Sequence, residues 1–140
     1  MSRQSNQPQI GDVFLMRFSG GANEQRGLRP GVVFQNNIGN EHSPNIIALP
    51  MTSRIKKTTQ PTHVVIPADE TGLVRTSMVL CENPERMSKE NIGEYITTLP
   101  ERYMKQIAEA SILASSVISF LEPDYLLSVW QKAILLNRTG

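Results

Sequence analysis

Short alternations of apolar and polar residues dominate the first two thirds of the chain. Asp12 to Phe18, Pro30 to Gln35, Ile46 to Pro50, Thr62 to Pro67 and Ser77 to Glu82 are rich in Val, Ile and Phe and are bounded by turn-forming residues, which predicts five strands. Their even spacing suits a small twisted barrel. The connection Ser19 to Leu28, SGGANEQRGL, carries three glycines and is too polar for a core strand, so it reads as an exposed loop. Beyond Glu82 the pattern changes to a turn or short helix near Ser88 to Ile92 and a strand from Glu94 to Thr98. Pro100 suits a first helical position, and Tyr103, Ile107, Ala110, Ala114, Ile118 and Leu121 follow at helical spacing. This predicts a long amphipathic helix packed on the sheet. Glu122, Pro123 and Asp124 break it, after which Leu126, Val129, Trp130, Ala133 and Ile134 form a second apolar helical face that must bury on its own domain or on a partner. The first nine residues, MSRQSNQPQ, have no apolar face and read as a loose terminus. The expected organisation is a flexible segment 1–9, a mainly β domain with α additions over 10–121, and a helical extension 122–140.

Length and composition narrow the function. At 140 residues there is room for one comfortable hydrophobic core. The 39% apolar and 19% charged content, with nine prolines and nine glycines, describes a folded chain with many turns. Cys81 is the only cysteine and has no internal disulfide partner, and no basic segment followed by an apolar stretch opens the chain, so a cytoplasmic location is expected. The apolar runs are too short to span a bilayer. A formal charge of +1 is far from the basic balance needed to grip duplex nucleic acid through many phosphates, so any nucleic acid is short or held locally.

The densest polar cluster is Glu24-Gln25-Arg26-Gly27-Leu28-Arg29-Pro30, leading directly into an apolar strand. Pro30 biases Arg29 toward extended backbone, which sets its guanidinium at the mouth of that strand, where a planar five-donor fork can grip a phosphate at two points. Taken alone, Arg29 reads more simply as a surface arginine paired with a carboxylate such as Glu24. A second cluster, Pro50-Met51-Thr52-Ser53, ends a strand with two hydroxyls and passes into Arg54-Ile55-Lys56-Lys57; by itself it is a turn and a solvated basic loop. Cys81, within an apolar strand, reads as a buried structural thiol, and Asp69 and Glu70 as a turn. His42 and His63 can act together as acid and base only if tertiary structure joins them. No spacing matches a metal site and no glycine loop opens a helix as a nucleotide cradle, so neither metal nor cofactor is expected.

The order of these pieces is more specific than any of them. Gly11-Asp12-Val13, Glu24-Gln25 with Gly27, Arg29 and Pro30, Gln35-Asn36 at a strand end, Pro50-Met51-Thr52, Pro61-Thr62-His63-Val64, Gly72-Leu73 and Ser77 to Leu80 together resemble the MazF/PemK toxin family over roughly residues 10 to 120. The resemblance implies a small SH3-like barrel of the MazF/CcdB type, a homodimer with single-stranded RNA in grooves at its interface, and a cognate antitoxin. It also implies metal-independent endoribonuclease activity, leaving a 2′,3′-cyclic phosphate and a 5′-hydroxyl. Position by position, Arg29 and Thr52 match the family's catalytic pair. A guanidinium ordinarily titrates above ~12, so Arg29 serves more readily as an electrostatic clamp than as a base, and Glu24 stands as the alternative base or as the residue orienting Arg29. Gln25, Ser53, Lys56, Lys57 and Asn83 are the candidates for reading splayed bases. Where relatives show Glu-Gln, an aliphatic and an arginine, this chain has Glu82-Asn83-Pro84-Glu85-Arg86, so the preferred RNA word is expected to differ. The alternatives on the same architecture are a CcdB-like toxin that binds gyrase and a non-catalytic protein-binding barrel.

Overall fold

The computed structural model describes residues 7–19, 28–55 and 60–137. Within them the order is β1 Asp12–Arg17, β2 Leu28–Val33, α1 Asn37–His42, β3 Asn45–Thr52, β4 His63–Ile66, the single turn α2 Ala68–Thr71, β5 Ser77–Leu80, β6 Glu85–Ser88, β7 Ile92–Thr98, α3 Glu101–Ala114 and α4 Leu126–Leu136. All pairings are antiparallel and the strands lie in the order β4-β5-β3-β2-β1-β7. β3 is the spine. One of its edges meets β2 from Val33↔Ala48 to Gly31↔Pro50, while its other partners are β6 along Asn45–Ala48 and β5 at Met51 and Thr52.

Successive strand residues feed two cores, as a two-residue side-chain period demands. Val13, Val32, Leu49 and Met51 face α3, where Tyr103, Ile107 and Ala110 are buried among Val64, Ile66 and Val79. Phe14, Met16, Phe18, Val33, Ile46, Ala48 and Met87 form the second core. The pairing of β1 with β7 is irregular between Val13 and Met16, beside that second core. The sheet does not close, because β4 and β7 at its two ends do not pair. The barrel expected from the sequence is therefore an open, curled sheet; α3 covers the face that β4 and β5 would otherwise leave bare. Gly11 adopts φ +90°, which favours glycine, and there its N–H donates to the Val33 carbonyl at 2.9 Å while its own carbonyl accepts from the Leu99 N–H at 3.0 Å.

Several elements differ from the sequence expectation. β6, ERMS, contains a single buried apolar residue, Met87, and is a strand only because the edge of β3 offers it a ladder. α1 has no apolar stripe; Asn36 caps it by accepting from the Gly39 N–H at 2.9 Å, and buried Asn40 donates to the Gln35 carbonyl at 2.8 Å. α3 ends at Ala114 rather than near Leu121, since the Ser115 N–H turns back to the Ile112 carbonyl and Val117–Phe120 continue as a 3-10 turn. Pro100 sits one residue before the helix, in extended backbone. Residues 7–9 are fastened, with Gln7 donating to the Asn40 carbonyl and the Gln9 N–H to Asp12 Oδ2 at 2.8 Å. Residues 1–6 of the expected loose terminus, and 20–27 of the expected glycine-bearing loop, lie outside the described residues.

Candidate active site

Arg29 lies near the start of β2 and Thr52 at the end of β3. The β2–β3 ladder ends at Gly31↔Pro50, and Arg29 and Thr52 each lie two residues beyond that last pair, at the same end of the two strands. Residues two apart along a strand point to one face, so Arg29 shares the face of Gly31 and Thr52 that of Pro50. That face is the one bearing Val33, Ala48 and Phe18, because Arg29, Gly31 and Val33 alternate along β2 and Ala48, Pro50 and Thr52 along β3.

The Arg29 guanidinium stands over the Phe18 ring, 5.3 Å from its centre. Gly31 makes room for that ring: a Cβ added there would come within 2.6 Å of Phe18 Cζ and 2.8 Å of Met16 Sδ. The packing thus runs from an absent side chain, through an aromatic plate, to a cation. Thr52 Oγ1 accepts from the Arg54 N–H at 3.1 Å, which orients the hydroxyl and leaves its own hydrogen to donate. An oxyanion between the two strand ends would meet a guanidinium fork from β2 and a hydroxyl donor from β3, the combination that stabilises charge developing on a phosphoryl group.

Of the other residues singled out from sequence, Ser53 and Asn83 are exposed; Ser53 follows Thr52 directly, and Asn83 lies in the turn between β5 and β6, its N–H donating to the Leu80 carbonyl at 3.2 Å. Glu24, Gln25, Lys56 and Lys57 lie outside the described residues. Ser19, through its N–H at 2.9 Å and its hydroxyl at 2.5 Å, donates to Glu85 Oε1 and ties the exit of β1 to β6. Phe18 and Gly31, which support Arg29, escape a reading by chemistry because neither carries a reactive group; the two-residue spacing from Arg29 to Gly31 is the only sequence signal of it.

His42 and His63 are not joined. His42 is exposed at the end of α1, 3.8 Å from Glu41, whereas His63 Nε2 lies 2.6 Å from Glu82 Oε2. The Thr62 hydroxyl donates to the same carboxylate oxygen at 3.0 Å, making a partly buried trio at the open end of the β4–β5 pair, where His63 faces Leu80. Sequence spacing could not show it, because Glu82 meets His63 only through strand pairing. Cys81 is buried, and desolvation pushes its thiol up to about 11, which suits a structural role. Glu70 accepts from the Tyr103 hydroxyl and from Arg102 at 3.1 Å, and these hydrogen bonds, Tyr103's first, hold its carboxyl below the usual range. It ties α2 to α3.

A family model for the PemK-like, MazF-like toxin of type II toxin-antitoxin systems matches residues 9–114. The chain is 37% identical over 111 residues to Endoribonuclease EndoA of Bacillus subtilis, covering 79% of this chain and 96% of that protein. It is 38% identical over 101 residues to Endoribonuclease MazF of Staphylococcus saprophyticus, covering 71% and 84%. Among solved structures, an endoribonuclease in complex with its cognate antitoxin from a mycobacterial species shares the fold, with a TM-score of 0.62 and 24% identity over 83% of this chain and 99% of that one. Because the matched segment runs from the entry to β1 through α3 and includes both strand ends that carry Arg29 and Thr52, the chain belongs to the PemK-like, MazF-like toxin family of type II toxin-antitoxin systems.

Proposed function

We propose that this chain is an RNA-cleaving toxin that cuts single-stranded RNA, mRNA included, at short sequence words by attack of the 2′-hydroxyl on the adjacent phosphorus. The new 2′-oxygen-to-phosphorus bond displaces the 5′-oxygen, giving a 2′,3′-cyclic phosphate and a 5′-hydroxyl. Three tasks follow: the 2′-hydroxyl proton must leave, charge on the phosphorane must be held, and the departing oxygen must be protonated. Arg29 and Thr52 hold the charge. Arg29 or Glu24 handles the proton, and Gln25, Ser53, Lys56, Lys57 and Asn83 read the bases.

The observation that carries this reading is the β2–β3 register that brings the Arg29 fork and the Thr52 hydroxyl to one face. Family membership adds a protein antitoxin as partner; one whose acidic segment lies where RNA would lie fits, since a guanidinium accepts carboxylate and phosphate alike. A homodimer in the cytoplasm, where mRNA is met, completes the proposal.

The test is incubation of the purified chain, free of antitoxin, with a long mixed-sequence RNA in excess EDTA beside Arg29→Ala and Arg29→Lys, with ends mapped by primer extension. Cleavage at a recurring word with 5′-hydroxyl ends is expected of the parent, and none of a folded Arg29→Ala. Arg29→Lys, which keeps charge but loses the fork, should fall at least about 100-fold, the loss of one transition-state donor. A folded parent that leaves RNA intact would return the choice to gyrase binding or an adaptor.

A further inference from the structure

The turn between β5 and β6 is held at both ends by carboxylates. On one side Glu82 accepts from Thr62 and meets His63. On the other, Glu85 Oε1 accepts two hydrogen bonds from a single residue, the Ser19 N–H at 2.9 Å and the Ser19 hydroxyl at 2.5 Å. The Glu85 backbone is fixed as well, because Glu85 is the β6 residue that pairs with Ala48. Its second carboxylate oxygen, Oε2, has no hydrogen-bond or ion-pair partner among the described residues, and it is not one of the buried atoms left without one. Glu85, half-buried, therefore presents one pinned oxygen and one open to solvent.

The Ser19 contact brings this acceptor close to the proposed phosphate site. Ser19 directly follows Phe18, whose ring centre lies 5.3 Å from the Arg29 guanidinium. The carboxylate is thus one residue and one hydrogen bond from the aromatic plate that carries the cation. A phosphate drawn to Arg29 is repelled by Glu85, so the part of an RNA strand that can turn toward the carboxylate is a base. A carboxylate oxygen accepts hydrogen bonds and does not donate them. In an unpaired strand cytosine, adenine and guanine each offer an exocyclic amino group, whereas uracil offers one N–H flanked by two carbonyl oxygens that a carboxylate repels. Because Oε1 is already pinned, the side chain loses little further rotamer freedom when a base arrives.

The geometry points to Glu85 as a specificity-determining residue: its open oxygen accepts the amino group of an unpaired base beside the phosphate on Arg29 and excludes uracil from that position of the RNA word. The inference rests on the RNA reading above and adds to it the class of base and the residue that selects it.

Glu85→Gln tests it. The amide oxygen can keep both Ser19 donors, which leaves an NH2 group where Oε2 stood, so an acceptor for amino groups becomes a donor to uracil carbonyls. Parent and variant, free of antitoxin, are compared in two assays. One is cleavage of RNA oligonucleotides carrying A, C, G or U in turn at each position of the parent's word. The other is fluorescence anisotropy with 2′-O-methyl oligocytidine and oligouridine, which have no 2′-hydroxyl to attack. At one position the parent should use uracil at least about 10-fold less well in kcat/KM than an amino-bearing base. In Glu85→Gln that preference should vanish or reverse at that position only, and the ratio of oligouridine to oligocytidine Kd should fall by about 10-fold. A folded variant with the parent's base profile and Kd ratio overturns the proposal. So does a uniform loss at every word, the mark of a structural or proton-transfer role. The two readings fail separately: a parent that cuts no RNA defeats the cleavage reading while the Kd ratio still decides on Glu85, and a parent that cuts RNA with no uracil-excluding position defeats Glu85 alone. Should Glu85→Gln unfold, Ser19→Ala decides, since it keeps the carboxylate but removes one of the bonds that pin it. Discrimination against uracil should then weaken about 2- to 5-fold, and an unchanged ratio overturns the proposal.

Discussion

Arg29 depends on a residue that has no side chain. Gly31 admits the Phe18 ring, and the ring lies beneath the guanidinium. Gly31→Ala should therefore destabilise the chain by about 1–3 kcal/mol through overpacking and lower kcat/KM although Arg29 itself is intact. Urea unfolding and RNA cleavage check both effects. Adding Phe18→Leu should recover part of the stability, because the two positions share one space. At His63, Glu82→Ala leaves a partly buried imidazole and the Thr62 hydroxyl without their acceptor, an expected loss of about 1–3 kcal/mol read by the urea midpoint. Glu70 gives a pH-dependent signature. Its carboxyl titrates below the ordinary 4.5, chiefly because the Tyr103 hydroxyl donates to it, so its contribution is complete above that value and is lost as pH falls through the lowered folded value. The stability advantage of the parent over Tyr103→Phe should thus be constant above about pH 4.5 and shrink below it, in melts taken between about pH 3 and 6. At this scale the sequence exposed the two side chains to which the proposal gives the charge, Arg29 and Thr52. It hid Phe18, Gly31 and the His63–Glu82 contact, whose roles exist only once strands have paired.

Elements were legible where the hydrophobic pattern itself drives their formation. β1 and β5 bury runs such as Val13-Phe14 and Met78-Val79, and those apolar runs are plain in the chain. β6 and α1 were not, since one is held by the free edge of β3 and the other by the side-chain bonds of Asn36 and Asn40. The apolar period of α3 continues through Ile118, yet the helix stops at Ala114, because nothing in a period records where the backbone turns away. The helix contributes through its buried stripe. Ile107→Ala, at a fully buried position over β4 and β5, should cost about 2–5 kcal/mol and lower the urea midpoint, whereas truncating exposed Leu113 on the same helix should cost the isolated chain little.

For the molecule as a whole, the charge of +1 sets an expectation about RNA affinity. If two or three phosphates are neutralised, log K should fall with log salt at a slope of about −2 or shallower. Fluorescence anisotropy with an RNA carrying a 2′-deoxy sugar at the cleaved position, between 50 and 300 mM salt, measures this; a slope several units steeper would indicate a long phosphate track. The family was legible at this scale because motif order survives substitution. The open sheet was not, since whether the end strands β4 and β7 meet depends on the pairing of all the strands between them. One feature of that sheet bears on how such a chain diversifies. β5 and β6 are zipped separately onto β3, and the residues between them, Cys81 to Pro84, belong to neither ladder. Insertions or deletions at exposed Asn83 and Pro84 shift neither register, so the length and composition of the turn can drift there over generations, while buried Cys81 and the Glu82 bonds to Thr62 and His63 stay in place. If Asn83 reads bases as proposed, duplicated copies of such a gene can acquire new target words by replacing that turn.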